Sequence, residues 1–160
     1  MIIKLIASII LIWIVFAIIL PFIIFPNFYL RKSQVKKSPY IKSLAKTLTK
    51  KTKEETLKKV FQFVTKNYSG REEALKLINY LKLFETDIEK TLKKRHQFFA
   101  CHIQNLIITT LLINTSQFKI KEIKRKTGIS SRLAAHQYLL IKTKNKIFKV
   151  DPFYKILIEV

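Results

Sequence analysis

Cysteine, glycine and acidic residues are scarce in this chain. Its 160 residues include one cysteine, two glycines and four prolines, with ten acidic residues set against 31 lysines and arginines. A single cysteine excludes an internal disulfide framework and a cysteine-rich zinc site, and it suits a reducing compartment or simple indifference to redox. So few glycines and prolines leave little special turn geometry, which points to long helices joined by tight polar connections. No internal repeat is visible, and the only low-complexity stretch is lysine-rich.

The shortage of acid leaves a net charge of +21. Such a balance attracts anionic headgroups or nucleic acid, although a solvated lysine-rich surface produces the same number. The chain carries no recognisable nucleic-acid module, and its aromatics are not interleaved with its basic run, so nucleic acid is not an expected partner.

What the chain has in abundance is apolar sequence at its start. Leu5 to Phe25 is interrupted only by Ser8 and Pro21, and Lys4 is the one charge in residues 1–26. A run of this length crosses a hydrocarbon core of about 30 Å as a helix. It ends in Pro-Asn-Phe-Tyr-Leu-Arg-Lys without a small-residue cleavage pattern, which favours an uncleaved anchor over a signal peptide. Pro21 is expected to kink or end the helix, with Phe22, Phe25, Phe28 and Tyr29 at the interface. Every charge from Arg31 to Lys53 is basic, and the first acid is Glu54. The positive-inside rule then predicts a single-pass protein with its C-terminal domain in the cytoplasm. The expected organisation is an anchor over 1–26, a basic juxtamembrane linker over 27–53 and a folded domain over 54–160.

Within the linker a short helix is expected from Tyr40 to Leu48. From Glu54, Leu57, Val60, Phe61 and Val64 recur at helical spacing until Asn67-Tyr68-Ser69-Gly70 breaks the run. Arg71 to Leu83 reads as a second helix with Ala74, Leu75, Ile78 and Leu81 on one face, and Glu85 to Arg95 as a third. Cys101 to Asn114 is apolar and about four turns long. The period then changes. Phe118 to Lys121, Ala135 to Lys142, Lys146 to Asp151 and Tyr154 to Val160 read as strands, with a turn at Lys144-Asn145. The fold class is α+β, with the helix that opens at Cys101 packed on an antiparallel sheet.

Three of these elements carry residues that suit nucleophilic chemistry. A catalytic thiol must be ionised, must have an acid or base beside it, and needs that partner held in orientation. Cys101 opens a helix, where free N–H groups and the dipole favour a thiolate. Period-two alternation puts His136, Tyr138 and Leu140 on one face of their strand, and Ile147, Lys149 and Asp151 on one face of the next. A hairpin closed at Lys144-Asn145 pairs residues whose numbers sum to about 289, which makes Asp151 a diagonal neighbour of His136, about 7–8 Å away. The backbone N–H of Cys101 is the first candidate oxyanion donor and Gln97 the second, and Tyr138 is expected to line the cleft beside His136. His96 and His102 stand outside the set, since His102 follows Cys101 in the helix and points elsewhere. Cys101 and the histidines lack zinc spacing, so neither a metal nor a cofactor is expected.

Residues from roughly 55 to 155 resemble the transglutaminase-like superfamily of cysteine enzymes, whose core is shared with papain-type proteases. The resemblance rests on Cys101 at a helix start, His136-Gln137-Tyr138, and Asp151-Pro152 at a strand end, in family order, with Leu111-Leu112 near the end of the helix. Phe99-Ala100 stand where many members carry a glycine before the cysteine, and Asn114 to Gln117 replace the glycine after the helix. The resemblance implies a transglutaminase/papain-like core in which Cys101 is the nucleophile, His136 the general base and acid, and Asp151 the residue orienting His136. The implied activity is acyl transfer from an amide of a protein or peptide substrate, with hydrolysis favoured over crosslinking. The competing expectation is a catalytically inert, membrane-anchored basic domain that binds acidic lipid, protein or nucleic acid.

Overall fold

The apolar N-terminus is helical in the computed structural model of the protein, which describes residues 2–25, 28, 34–74, 76–130 and 133–160. Helix α1 (Ile2–Trp13) runs into a π-helical stretch, Ile14–Ile19, and then into α2 (Leu20–Ile24). The π stretch falls just ahead of Pro21. Proline has no N–H to give and its ring crowds the carbonyl four residues back, so the preceding turn widens, and Leu20 N–H donates to the Val15 carbonyl. Every residue of α1 is exposed, whereas Val15, Ala17, Ile18 and Leu20 are half-buried and Pro21 is buried. Among the described residues one helix, over Ile2–Ile19, is long and apolar enough to cross a membrane, and signal sequences share that length and composition.

Helix α3 (Pro39–Leu48) starts at Ser38, whose hydroxyl accepts from Ile41 N–H. The Ile41, Ala45 and Leu48 side chains are buried, so the segment read as linker contributes a face to the core, and the folded domain begins ahead of residue 54. Helix α4 (Lys53–Asn67) opens on a capping box between Thr52 and Glu55 and buries Leu57, Val60, Phe61 and Val64, as their spacing predicts. Two-residue strands follow, β1 (Tyr68–Ser69) and β2 (Gln97–Phe98), paired in parallel. Between them Asp87 caps helix α5 (Ile88–Lys93), the core of the third expected helix.

The second expected helix does not form as one. Its place is taken by short 3-10 turns at Arg71–Glu73 and Leu77–Phe84. Of its supposed apolar face, Leu81 is 76% exposed. Leu75 and the Ile78 side chain lie outside the described residues. A helical stripe with no surface to cover it gains too little from propensity alone to hold a regular helix.

Helix α6 (Cys101–Asn114) is the centre of the fold and is buried from Cys101 to Leu112. It lies on one face of an antiparallel meander in the order β3-β4-β5-β6: Ile123–Ile129, Ala135–Lys142, Ile147–Asp151 and Ile156–Glu159. Leu139, Ile141, Phe148 and Val150 face the helix from the sheet, while α3 and α4 cover its other sides. The strand expected over Phe118–Lys121 forms instead at Ile123–Ile129, after a 3-10 turn at Ile120–Glu122. This strand is a lysine-rich sheet edge, so its outer face alternates polar with polar and hides the period. Leu139 pairs with Val150 and Leu140 with Lys149, the register the Lys144-Asn145 turn predicts. Leu106 is fully buried on α6. Truncation to Leu106→Ala should lower unfolding stability by about 2–5 kcal/mol, read from urea melts of the full chain in detergent micelles.

Candidate active site

The thiol, imidazole and carboxylate converge at the end of the sheet where β4 begins and β5 ends. Cys101 is the first residue of α6 and only 8% exposed. The residue before it, Ala100, has no side-chain acceptor with which to cap the helix, while its carbonyl takes the N–H groups of Ile103 and Gln104. The helix start therefore directs its dipole at the sulfur.

Asp151 sits two residues along from the position opposite His136, and the side chains close the gap. His136 Nε2 donates to Asp151 Oδ2 at 2.7 Å, with both side chains nearly buried. Asp151 Oδ1 accepts from Tyr154 N–H at 3.3 Å, so both carboxylate oxygens are engaged and the group cannot swing. With Nε2 committed to Asp151, the remaining ring nitrogen Nδ1 is left for the hydrogen bond between His136 and Cys101. The structure thus brings Cys101, His136 and Asp151 into one hydrogen-bonded chain.

The ionisation of this chain follows from its surroundings. Burial alone pushes the Cys101 thiol up, but hydrogen bonds from His102 and His136 and the favourable electrostatics beside them bring it down to about 6. Burial likewise pulls the His136 imidazole down, and the Asp151 and Cys101 partners outweigh it, raising the ring to about 10. The stable form at neutral pH is a thiolate–imidazolium pair.

Other expected members take different places. Tyr138 shares the His136 face of β4, but its ring is half-buried beneath the Lys149 ammonium, 4.9 Å from the centroid. The aromatics that flank His136 are Phe153 and Tyr154, at 5.7 and 4.8 Å between centroids, from the turn after Asp151-Pro152. Their signal in the sequence was an aromatic pair directly after Asp151-Pro152. Gln97 is half-buried on β2, and strand alternation turns its side chain away from the side on which Phe98 meets Phe153. Among the described residues no hydrogen bond joins Gln97 to the thiol or the imidazole. Of the two expected oxyanion donors, the Cys101 N–H is the one that lies at the sulfur.

His102, expected to point elsewhere, takes part in the site. It hydrogen-bonds the thiolate and places Nε2 3.0 Å from the Leu83 carbonyl, while the Phe25 ring stacks on it at 5.6 Å. Arg125 was missed because β3 was read in the wrong place. It shares the inner face of β3 with Ile123, burial brings its guanidinium down to about 10, and the Cys101 thiolate opposes that fall. It stays protonated at neutral pH and adds positive potential near the sulfur. Below Cys101 on α6, Asn105 Nδ2 donates to the Gln137 carbonyl at 2.9 Å, and Gln137 Nε2 in turn donates to the Phe28 carbonyl. This relay ties α6 to β4 and to the segment that follows α2.

Two features govern access. Gly128 pairs directly with His136 across β3 and β4, and a Cβ there would meet nothing within 4 Å, so open space lies beside the imidazole. Gly70 is the opposite case, since an added Cβ would come 2.6 Å from the Phe153 carbonyl. Arg71 N–H bonds that same carbonyl, so Gly70 permits the close approach that sets the Phe153-Tyr154 turn against His136. Among the described residues no group of three or more His, Cys, Asp or Glu side chains is arranged to hold a metal ion. No family model, curated protein or solved structure matches the chain.

The ionisation predicts a pH profile. Iodoacetamide should alkylate Cys101 at a rate that rises through about pH 6 and then levels, because the thiolate is populated above the depressed thiol value. In His136→Ala the favourable charge is gone while burial remains, so the rise should move up to or beyond the range of an ordinary thiol. Coincident profiles for the two proteins would contradict the pairing.

Proposed function

We propose that this protein is a membrane-anchored, transglutaminase-like cysteine enzyme that transfers acyl groups from amides, chiefly to water as a peptidase or amide hydrolase. The observation that carries this reading is the continuous chain from Cys101 at a buried helix start through His136 to Asp151, closed by the 2.7 Å Nε2–Oδ2 bond. A helix-start thiol over an antiparallel sheet that holds the imidazole and carboxylate on adjacent strands is also the arrangement that the resemblance to the transglutaminase/papain-like core implies.

The chemistry follows from what each group holds. The Cys101 thiolate attacks the carbonyl carbon of the scissile amide, and the charge that develops on the carbonyl oxygen is met by the Cys101 N–H and the helix dipole. As the C–N bond breaks, the His136 imidazolium gives its proton to the departing amine, leaving a thioester and a neutral imidazole. Water then loses a proton to that imidazole and attacks the thioester, and the sulfur leaves as thiolate beside a restored imidazolium. Asp151 keeps Nε2 occupied throughout and so keeps Nδ1 turned to the sulfur. An acceptor amine in place of water would yield a crosslink, and the buried thiol limits water at the site without excluding it.

The anchor and its flank extend this reading. A cytoplasmic domain held by the N-terminal helix fits the run of basic residues from Arg31 to Lys53, which suits anionic headgroups.

A peptide chloromethyl ketone or vinyl sulfone library applied to the full chain in micelles should add mass to Cys101 in the wild type. Labelling should vanish in Cys101→Ser and fall at least tenfold (about 1.4 kcal/mol) in Asp151→Asn. Unaltered labelling in Asp151→Asn, with an ordinary thiol profile, would favour an inert basic domain. A bulky residue at Gly128, such as Gly128→Leu, should leave the melting transition in place while slowing labelling, because it fills the open space beside His136.

A further inference from the structure

The membrane helix is not a free tether. It touches the folded domain at two levels. Trp13 Nε1 donates to the Leu133 carbonyl at 3.1 Å, at the tip of the hairpin between β3 and β4. The Phe25 ring, just past α2, meets Phe84 at 5.5 Å and stacks on His102 beside the nucleophile. Twelve residues separate Trp13 from Phe25, so the domain lies along the helix for roughly 18 Å.

This leaves residues 2–12, eleven residues or roughly 16 Å, as the stretch of the helix ahead of its first contact with the domain among the described residues. A hydrocarbon core is about 30 Å thick and takes about 20 helical residues to cross. If the helix crosses, the membrane must extend past Trp13 toward Pro21, and the hairpin tip bonded to Trp13 lies below the headgroups.

The tip is built for that position. Ile129 and Leu133 are 61% and 63% exposed to solvent among the described residues. Leu133 has φ 52°, a left-handed conformation that glycine or asparagine would adopt without strain and that costs leucine about 1–2 kcal/mol. A strained backbone position occupied by a large apolar residue implies a use for the side chain. Further along β3, Lys126 and Lys124 are exposed, roughly 10 and 17 Å from Ile129 at strand rise, where they reach phosphate headgroups.

We propose that the β3–β4 hairpin tip, through Ile129 and Leu133, inserts into the lipid bilayer beside the N-terminal helix and holds the Cys101–His136 site at the headgroup level. The occupant proposed for the Ile129 and Leu133 side chains is lipid, because they adjoin a helix whose exposed residues from Ile2 to Trp13 are apolar apart from Lys4 and Ser8, and because exposed lysines lie further along β3. Phe25 and Phe28, at the end of the same helix, then lie at the interface next to His102, which puts the thiol within a few residues of the membrane surface. The inference rests on the membrane anchoring proposed above and is independent of the enzymatic reading.

The single cysteine makes the test direct. In a Cys101→Ser background, Ile6→Cys, Gly128→Cys, Ile129→Cys, Leu133→Cys and Lys144→Cys are labelled one at a time with an environment-sensitive nitrobenzoxadiazole dye. Each full chain is reconstituted into phosphatidylcholine–phosphatidylglycerol vesicles, with doxyl groups at shallow or deep positions on the lipid. Labels at 129 and 133 should emit to the blue of the label at 144 and be quenched severalfold more by acyl-chain doxyl, with the label at 128 responding to the shallow quencher. A buried label at 6 with water-like labels at 129 and 133 overturns the hairpin insertion and leaves the anchor standing. Water-like emission at 6 as well overturns the anchor and the insertion together.

Discussion

Burial of α6 on every side is the constraint on which the rest of this molecule depends. A helix of fourteen residues with twelve of them buried has no solvent face, so α3, α4 and the sheet must each supply an apolar surface to cover it. The arrangement leaves little freedom to slide. Asn105 and Gln104 sit in that interior, and their amides reach the backbone at Gln137, Ser69 and Phe99, where a shift of one turn would strand them. The sulfur at the start of the helix inherits this immobility. It is held at a fixed height above the sheet end, against the free N–H groups of an uncapped helix.

The electrostatics of the site follow from the same burial. Low polarity around Cys101 and His136 opposes charge on either group alone, and each becomes charged because the other is beside it, with Asp151 behind the ring. Such a pair is interdependent, since removing one member leaves the other as an uncompensated buried charge. His102 hydrogen-bonds the sulfur from α6 and Arg125 adds positive potential from β3, so the thiolate is met by favourable groups from α6, β4 and β3.

The domain and its helix also share structure in a way a simple tether would not. The relay from Asn105 through Gln137 to the Phe28 carbonyl, and the stack of Phe25 on His102, couple the end of the N-terminal apolar helix to α6. The placement of the N-terminal helix and the geometry of the site are thereby set by overlapping contacts.

Much of this was legible in the order of residues, for reasons that can be named. The three-and-four spacing over Leu57 to Val64 and the length of the apolar run from Cys101 determine helices wherever they are buried. The Lys144-Asn145 turn determines a pairing sum, and with it the diagonal relation of Asp151 to His136, because strand side chains alternate strictly. Local pattern could not decide what depends on distant surfaces. The Arg71–Leu83 stripe resolves into 3-10 turns because nothing covers Leu81, while the helix at Pro39–Leu48, weakly apolar in sequence, is drawn into the core by the flank of α6. The β3 edge hid its period behind lysines, and Arg125 with it. His102 joined the thiol, and Phe153 and Tyr154 displaced Tyr138 beside the imidazole, through contacts between segments far apart in the chain. The sequence by itself determined which chemical groups exist and on which local elements they ride. Only the tertiary structure decided which of them meet, because burial and charge are properties of the assembled surroundings.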